Sequence, residues 1–270
     1  MTAGSGPHDV QVGAGLSGFP SPDPAEVAAL AAARAVVLAR IAEACLRAGR
    51  DPASVTLAAV SKTVPVERIR AAVAAGLDVL GENRVQEAAA KVPLVPGARW
   101  HLVGPLQANK ARRAIELFDV VETVDSVELA RRLDRIAAEV QPGRRLAVLL
   151  EVNVDLDPAK AGLPPGAVDG ALAELAGLPN LELRGLMTIG RLAASPEEAR
   201  GTFRALRDLS GWLRARHAHL GPDLSMGMTD DYPVAVEEGA TIVRVGRALF
   251  GERPGPAPAP DLDHGPGEGG

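Results

Sequence analysis

The chain has 270 residues, of which 47% are hydrophobic and 23% are charged, and its formal net charge at pH 7 is −5. This length and composition are typical of a globular protein with one large domain or two small ones, and they exclude a disordered, fibrous or collagen-like chain. The acidic balance argues against a surface for nucleic acid or anionic membranes. The single cysteine, Cys45, excludes a disulfide framework and a multi-thiolate metal site.

The two ends of the chain differ in composition from its body. Residues 1–24 and 254–270 are rich in Gly and Pro and show no hydrophobic periodicity, so we expect disordered tails around a single domain at 25–253. The N-terminal segment lacks the basic start and apolar stretch of a signal peptide. No apolar run reaches the ~18 residues that cross a bilayer. We therefore expect a cytoplasmic protein without a membrane segment.

Within this domain, short β-rich runs alternate with amphipathic helical patterns. Eight such units predict an α/β fold, a single (β/α)8 TIM-type barrel with an extra N-terminal helix. A doubly wound open sheet is the alternative, but the regular repeat without a second domain favours the barrel. Asp125 followed by Glu128 predicts the N-cap of one helix. The predicted elements are, in chain order, helix 26–48, strand 55–61, helix 65–75, strand 77–82, helix 83–91, strand 99–104, helix 107–117, strand 119–124, helix 126–139, strand 145–153, helix 166–176, strand 181–189, helix 196–217, strand 223–228, helix 231–238 and strand 240–246.

Lys62 is the first candidate functional residue. The chain contains only four lysines among its 29 basic residues, and Lys62 directly follows the first predicted strand. Catalytic side chains of barrels gather where the strands end. Partial burial there lowers the pKa of a lysine, as an imine-forming amine requires. The alternative is a lysine whose ammonium group simply reaches water from the strand end.

The end of the eighth predicted strand is the second candidate. Gly246 lies at a strand-to-helix turn, where backbone N–H groups can hold a phosphate. Ser225 and Gly227, at the end of the seventh strand, could add a hydroxyl and further amides. Barrels often bind phosphate after these two strands. The alternative is an ordinary turn glycine at position 246.

Arg244 alternates with apolar neighbours on the eighth strand and is therefore expected to point into the barrel or to lie near its rim. A buried arginine needs an acceptor. A carboxylate such as Glu151 could serve, and so could the ring nitrogen of a pyridine. His101 is expected to be a hydrogen-bonded core residue, because no second histidine or cysteine lies near it in sequence to form a metal site.

Several separated motifs together resemble one known family. The segments AVSKTVP, LGENRVQE, WHLVGPLQANK, GLMTIG and LSMGMTDDYPVAVEEGATIVRVGRALFGER resemble the pyridoxal phosphate homeostasis proteins (the YggS/PROSC family) over about residues 26–253. The resemblance implies a single barrel like the N-terminal domain of alanine racemase. It also implies that the cofactor is pyridoxal 5′-phosphate (PLP).

The resemblance assigns roles to three residues around the cofactor ring. Lys62 matches the lysine that forms a Schiff base with PLP, and Arg244 matches the arginine that faces the pyridine nitrogen. Asn83 matches a motif asparagine near the cofactor. An arginine at the pyridine nitrogen keeps that nitrogen unprotonated, which weakens the ring as an electron sink.

The resemblance also places a phosphate cup. Its expected members are Ser225 with the following backbone of Met226 and Gly227, and the amides around Gly246 and Arg247. Many family members carry a small hydroxyl residue at the position of Arg247, so one side-chain contact to the phosphate is expected to be lost or replaced.

A second departure from the family lies next to Lys62. Many members have a second lysine in the pattern S-K-T-K-P, and Val64 replaces it here. This replacement puts in doubt any cofactor-transfer role that the second lysine has.

The function that the resemblance implies is PLP binding for intracellular PLP homeostasis, by buffering the cofactor or delivering it to PLP-dependent apo-enzymes. We expect a monomer without robust turnover. A PLP-dependent amino-acid racemase or decarboxylase is the alternative, although the catalytic tyrosine and second domain of racemases are not expected here. A cofactor-free aldolase that uses Lys62 is a third hypothesis.

Overall fold

A computed structural model describes residues 20–190 and 194–251 of the chain. The described residues form eight parallel strands and the helices that connect them. The strands are β1 (Thr56–Val60), β2 (Val79–Glu82), β3 (Arg99–Leu102), β4 (Val120–Val124), β5 (Leu146–Glu151), β6 (Leu181–Met187), β7 (Asp223–Met228) and β8 (Ile242–Val245). The helices are α1 (Pro24–Arg47), α2 (Val66–Ala74), α3 (Val85–Lys91), α4 (Ala111–Leu117), α5 (Val127–Val140), α6 (Val168–Leu175), α7 (Arg200–Arg214), α8 (Tyr232–Glu237) and α9 (Arg247–Phe250).

The strands pair in sequence order and close into a barrel, because β8 also pairs with β1. In this closing pair, Ala58 lies opposite Arg244 and Ala59 lies opposite Val245. Each parallel pair requires a crossover, and the intervening helices provide it. The predicted (β/α)8 barrel is therefore confirmed.

The barrel encloses a small apolar cluster that is separate from the main core. Ala58, Val79, Leu149, Met187 and Ile242 come from five different strands and pack together inside the barrel. The larger core lies between the outer faces of the strands and the helices. Since side chains alternate along a strand, the inward-facing positions that follow these five residues lie one layer nearer to the carboxyl ends of the strands.

The element boundaries differ from the prediction at several ends. The helices predicted at 107–117 and 196–217 both begin with a 3-10 turn, and the second ends earlier, at Arg214. The N-cap of α5 is Ser126, whose side chain accepts a hydrogen bond from the Leu129 N–H, so the predicted cap at Asp125 was wrong by one residue. A hydroxyl at position 126 reaches that N–H directly, while Asp125 accepts from the Ser126 hydroxyl instead.

The predicted tails fall mainly on residues outside the described ranges. Helix α1 begins at Pro24, one residue before the predicted start of the domain, and the Pro20 carbonyl accepts a hydrogen bond from Arg70. Among the described residues, no helix is long and apolar enough to cross a membrane. The same residues contain no group of three or more His, Cys, Asp or Glu side chains placed to hold a metal ion.

Candidate functional site

The carboxyl ends of all eight strands meet at one edge of the barrel, which we call the barrel mouth. Lys62 lies there, in the turn that follows β1, and is half-buried. The Val64 N–H donates to the Ser61 carbonyl at 3.0 Å, and Thr63 has φ +63°. This is the geometry of a type II turn, whose third position normally takes glycine or asparagine. A β-branched residue there is strained, so the turn that presents Lys62 is held by its surroundings.

Lys91 and two glutamates hold this turn. The Lys91 ammonium donates to the Ser61 carbonyl at 2.8 Å and pairs with the fully buried Glu82 at 2.5 Å. The Glu87 carboxylate accepts from the Thr63 N–H at 3.2 Å. Sequence reasoning missed this set of contacts. Its only sequence signals were the rarity of lysine and the i, i+4 spacing of Glu87 and Lys91 on α3.

Asn83 is fixed by its backbone at the mouth end of β2. Its N–H donates to the Glu82 carboxylate at 3.1 Å. Gly104, in the loop after β3, packs directly against it, and a Cβ at position 104 would lie 2.4 Å from the Asn83 carbonyl oxygen. Only glycine permits this approach.

Arg244 belongs to a hydrogen-bonded chain of side chains inside the barrel. Its Nη1 donates to Ser225 Oγ at 2.7 Å and its Nη2 donates to the Thr188 carbonyl at 2.8 Å. The Ser225 hydroxyl donates to Glu122 Oε2 at 2.5 Å. The other oxygen of Glu122 lies 2.6 Å from His101 Nδ1. Arg244 lies two residues beyond Ile242 of the apolar cluster, so of the two positions expected for it, inside the barrel or near the rim, the structure shows the inside. His101 is a buried, hydrogen-bonded residue, as expected.

The charges of these hydrogen-bonded side chains depend on one another. Burial lowers the pKa of Arg244, and the carboxylates of Glu122, Asp231 and Glu151 act in the opposite direction. Burial alone would raise the pKa of Glu122, but its hydrogen bond with His101 and the charge of Arg244 bring that pKa below its ordinary value. Glu122 is therefore an ionised carboxylate inside the barrel, and it balances the guanidinium through Ser225.

Glu151 was one of the two acceptors expected for Arg244. The structure shows no direct pair between these two residues. The Nη1 and Nη2 groups of Arg244 donate instead to Ser225 Oγ and to the Thr188 carbonyl. Within residues 20–190 and 194–251, the Glu151 carboxyl has no hydrogen-bonding partner, although the residue is 5% exposed. Burial and the neighbouring charge of Asp125 raise its pKa to about 7, against the opposing effect of Arg244.

The three residues expected in the phosphate cup at the end of β7 occupy different surroundings. The Ser225 hydroxyl donates to Glu122 inside the barrel, and Met226 is buried in the core between strands and helices. Gly227 has φ +91°, and a Cβ there would lie 2.5 Å from the Cβ of Ala235. The glycine therefore allows α8 to pack closely against the end of β7.

Thr229 is a residue of the mouth that sequence reasoning missed. Its Oγ1 accepts a hydrogen bond from the Gly246 N–H at 3.4 Å, which joins the loops after β7 and β8. The side chain of Arg247 pairs with Asp230 in the same pair of loops. The signal in the sequence was a hydroxyl residue directly after the last residue of β7.

The donor set of the mouth fits a phosphorylated aldehyde with a ring nitrogen. Lys62 supplies a primary amine, Arg244 supplies a buried guanidinium on a neighbouring strand, and the loops after β7 and β8 bring a hydroxyl beside a backbone N–H. Such groups can form an imine, face a ring nitrogen and hold a phosphate, respectively.

Comparisons with known proteins agree with this geometry. Residues 38–254 match the family described as alanine racemase, N-terminal domain. The pyridoxal phosphate homeostasis protein of Pseudomonas aeruginosa is 45% identical over 233 residues, which cover 83% of this chain and 96% of that protein. The protein of the same name from Escherichia coli K12 is 40% identical over 223 residues, covering 79% of this chain and 92% of that protein.

A solved structure extends the likeness to the fold. PipY of Synechococcus elongatus PCC7942, determined with PLP bound, is 46% identical and superposes with a TM-score of 0.69, covering 78% of this chain and 100% of that chain. From the barrel, the residues at its mouth and these relatives, we conclude that the chain belongs to the family of pyridoxal phosphate homeostasis proteins, whose barrel is of the alanine racemase N-terminal type.

Proposed function

We propose that this chain binds PLP at the barrel mouth and acts in intracellular PLP homeostasis, by buffering the cofactor or delivering it to PLP-dependent apo-enzymes. Family membership supports this proposal, as does the relative from Synechococcus elongatus whose structure was solved with PLP bound. Bound PLP supplies an aldehyde carbon, a pyridine nitrogen and a phosphate. The chain offers a complementary group for each of them.

One structural observation carries the proposal. Lys62 is presented by a strained turn at the end of β1, and Arg244 is buried on β8, the strand that pairs with β1. We assign Lys62 to the Schiff base with PLP and Arg244 to the pyridine nitrogen, with Asn83 near the cofactor. The amine and the guanidinium are thereby set on adjacent strands of one mouth.

We assign the phosphate to the loops after β7 and β8. The backbone amides of Gly246 and Arg247 and the hydroxyl of Thr229 form this part of the site, since Thr229 lies beside the Gly246 N–H. Ser225 supports it from below, because its hydroxyl is engaged by Arg244 and Glu122. Met226 and Gly227 contribute by fixing the path of the chain between these residues.

Holding the cofactor is favoured over amino-acid racemisation by the position of Tyr232. The sequence contains one tyrosine. This side chain is buried, and the charged groups that act on it, Arg40 and Glu43, belong to α1 on the outside of the barrel. Its phenol therefore does not reach the mouth to act as a catalytic base. We also propose that the protein is cytoplasmic and monomeric.

The first test is the visible absorbance spectrum of the protein before and after PLP is added. The wild-type protein is expected to develop the band of a lysine-bound PLP imine, and Lys62→Ala is expected to lose it. Lys110→Ala, which alters a half-buried lysine in the 3-10 turn before α4, is the matched control and should keep the band. A wild-type protein without a band in excess PLP would refute the proposal and favour the cofactor-free aldolase.

A second measurement separates holding from catalysis. The PLP-loaded protein is incubated with a panel of amino acids, and racemisation and decarboxylation are followed by chiral chromatography. Rates no higher than those of free PLP are expected. A rate well above this reference would support the racemase or decarboxylase alternative.

A further inference from the structure

Glu151 occupies a position at the barrel mouth that the proposed function does not use. It is the last residue of β5, which lies four strands from β1 in either direction around the closed barrel. Leu149, two residues earlier, belongs to the apolar cluster inside the barrel. Because side chains alternate along a strand, Glu151 points the same way, one layer nearer to the mouth. It therefore faces the mouth from the side opposite Lys62.

The carboxyl of Glu151 differs from the other buried glutamates of the described residues. Glu82 pairs with Lys91, Glu122 accepts from Ser225, and Glu238 pairs with several arginines of α7. Glu151 is as well buried but has no hydrogen-bonding partner in the described part of the chain. Its oxygens are not among the fully buried polar atoms without a partner, so the carboxyl opens to the barrel mouth, where ligands of this fold bind.

Two charged groups act on Glu151 from the elements around it. Asp125, in the loop after β4, disfavours its ionised form, whereas Arg244 on β8 favours that form. Together with burial, they place its pKa at about 7, so that both protonation states are populated at neutral pH. The remaining interior acid, Glu122, is held ionised by its own hydrogen bonds.

We propose that Glu151 is a proton-binding residue of the ligand site, which takes up a proton from solvent when an anionic, phosphorylated pyridine fills the barrel mouth. The ligand removes the remaining water from the carboxyl and adds negative charge to the mouth, and both effects favour the neutral acid. The neutral acid also gains an O–H that can donate to an oxygen of the ligand. This inference rests on the proposed binding of PLP.

The consequence is a pH-dependent affinity. Because the complex binds more protons than the free protein, the affinity falls as the pH rises through the neutral range. A variant that cannot ionise at position 151 loses this part of the pH dependence.

The test uses isothermal titration calorimetry with pyridoxine 5′-phosphate, which carries an alcohol in place of the aldehyde and so binds without reacting with Lys62. Titrations in two buffers that differ in ionisation enthalpy and lack primary amines give the number of protons taken up. At pH 7 the wild-type protein is expected to take up about half a proton more than Glu151→Gln. Glu128→Gln, an exposed glutamate at the start of α5, should match the wild-type protein.

Asp125→Asn provides a second variant with an intact Glu151. Removing the charge of Asp125 lowers the pKa of Glu151, so the pH of greatest proton uptake is expected to move down. A role of Glu151 in packing alone would not produce this shift. The titration of Asp125→Asn therefore tests the inference even if Glu151→Gln does not fold.

Equal proton counts in the wild-type protein and Glu151→Gln, with PLP still producing its visible band, would overturn this inference and leave the proposed function standing. Failure of the wild-type protein to bind both PLP and pyridoxine 5′-phosphate would overturn both.

Discussion

Arg244 and Ser225, on the neighbouring strands β8 and β7, are joined by a 2.7 Å hydrogen bond in which the guanidinium is the donor. The Ser225 hydroxyl in turn donates a hydrogen bond to Glu122 at 2.5 Å, so one hydroxyl connects a buried cation to a buried anion. Arg244 and Glu122 are therefore linked through Ser225 without a direct ion pair. The hydrogen bonds to Ser225 and to the Thr188 carbonyl fix the position of the guanidinium. The Ser225 hydroxyl is thereby held between Arg244 and Glu122 inside the barrel.

Replacing Ser225 with alanine is expected to affect both stability and binding. Both charged partners lose a hydrogen bond inside the barrel, and each such bond contributes about 1.5–3 kcal/mol. We expect a loss of about 2–3 kcal/mol in the free energy of unfolding and a several-fold weaker affinity for PLP. Denaturant unfolding and absorbance titration measure the two effects. Ser210→Ala, a buried serine on α7, is the control, and an equal loss there would contradict the role given to Ser225.

Gly227→Ala tests whether this glycine is required by packing. The added Cβ would lie 2.5 Å from Ala235 Cβ, and φ at this position is +91°. We expect the substitution to lower the free energy of unfolding by about 2–3 kcal/mol. Gly211, inside α7, has no atom within 4 Å of an added Cβ, so Gly211→Ala is expected to raise stability by up to about 1 kcal/mol. Effects of the same sign at both positions would show that the packing argument is wrong.

Thr63→Gly tests the strain in the turn that presents Lys62. Because φ at Thr63 is +63°, glycine relieves a conformation that costs a β-branched residue energy. We expect a gain of about 1 kcal/mol in the free energy of unfolding. Thr63→Ala is the matched control, since alanine keeps the side-chain penalty at this φ and should give no gain. Equal stabilities of the two variants in urea would contradict the strain.

The raised pKa of Glu151 predicts how stability depends on pH. A carboxyl whose pKa rises on folding binds more protons in the folded state, so its contribution weakens as the pH increases from its unfolded value towards its folded one. With a folded pKa of about 7 and an unfolded value near 4.5, the window runs between these two pH values. Glu151→Gln is therefore expected to match the wild-type protein near pH 4.5 and to be more stable than it by about 2–3 kcal/mol at pH 8.

Thermal unfolding of both proteins across this pH range measures the difference. Glu128→Gln is again the control and should show a pH dependence like that of the wild-type protein. A constant difference between Glu151→Gln and the wild-type protein would show that the carboxyl titrates at its ordinary pKa in the folded state.

The fold was predictable because its signals are local. Each strand and helix shows its own hydrophobic pattern, and the alternation of Arg244 with Val243 and Val245 limited its side chain to the barrel interior or the rim. The position of Lys62 at a strand end followed from the same pattern. Local signals also explain the error at the cap of α5, where Asp125 and Ser126 are both suitable residues and only the geometry decides between them.

The partners of these residues were not predictable, since they depend on how strands distant in sequence align. Ser225, Glu122 and His101 lie on three strands and meet only through the register of the barrel. Thr229 reaches Gly246 across two loops for the same reason. Ser225 illustrates the limit, because its hydroxyl turns to the interior of the barrel although the residue lies close to the end of β7 in sequence.

The pairing of β1 with β8 has a consequence for the order of events during synthesis. Lys62 follows the first strand of the barrel and Arg244 belongs to the last, so the ring closes only after almost the whole domain has left the ribosome. A nascent chain that lacks β8 contains Lys62 but neither Arg244 nor the turn at Gly246. A chain that stops before β8 is therefore expected to lack the site that we propose for PLP, however well its earlier strands form.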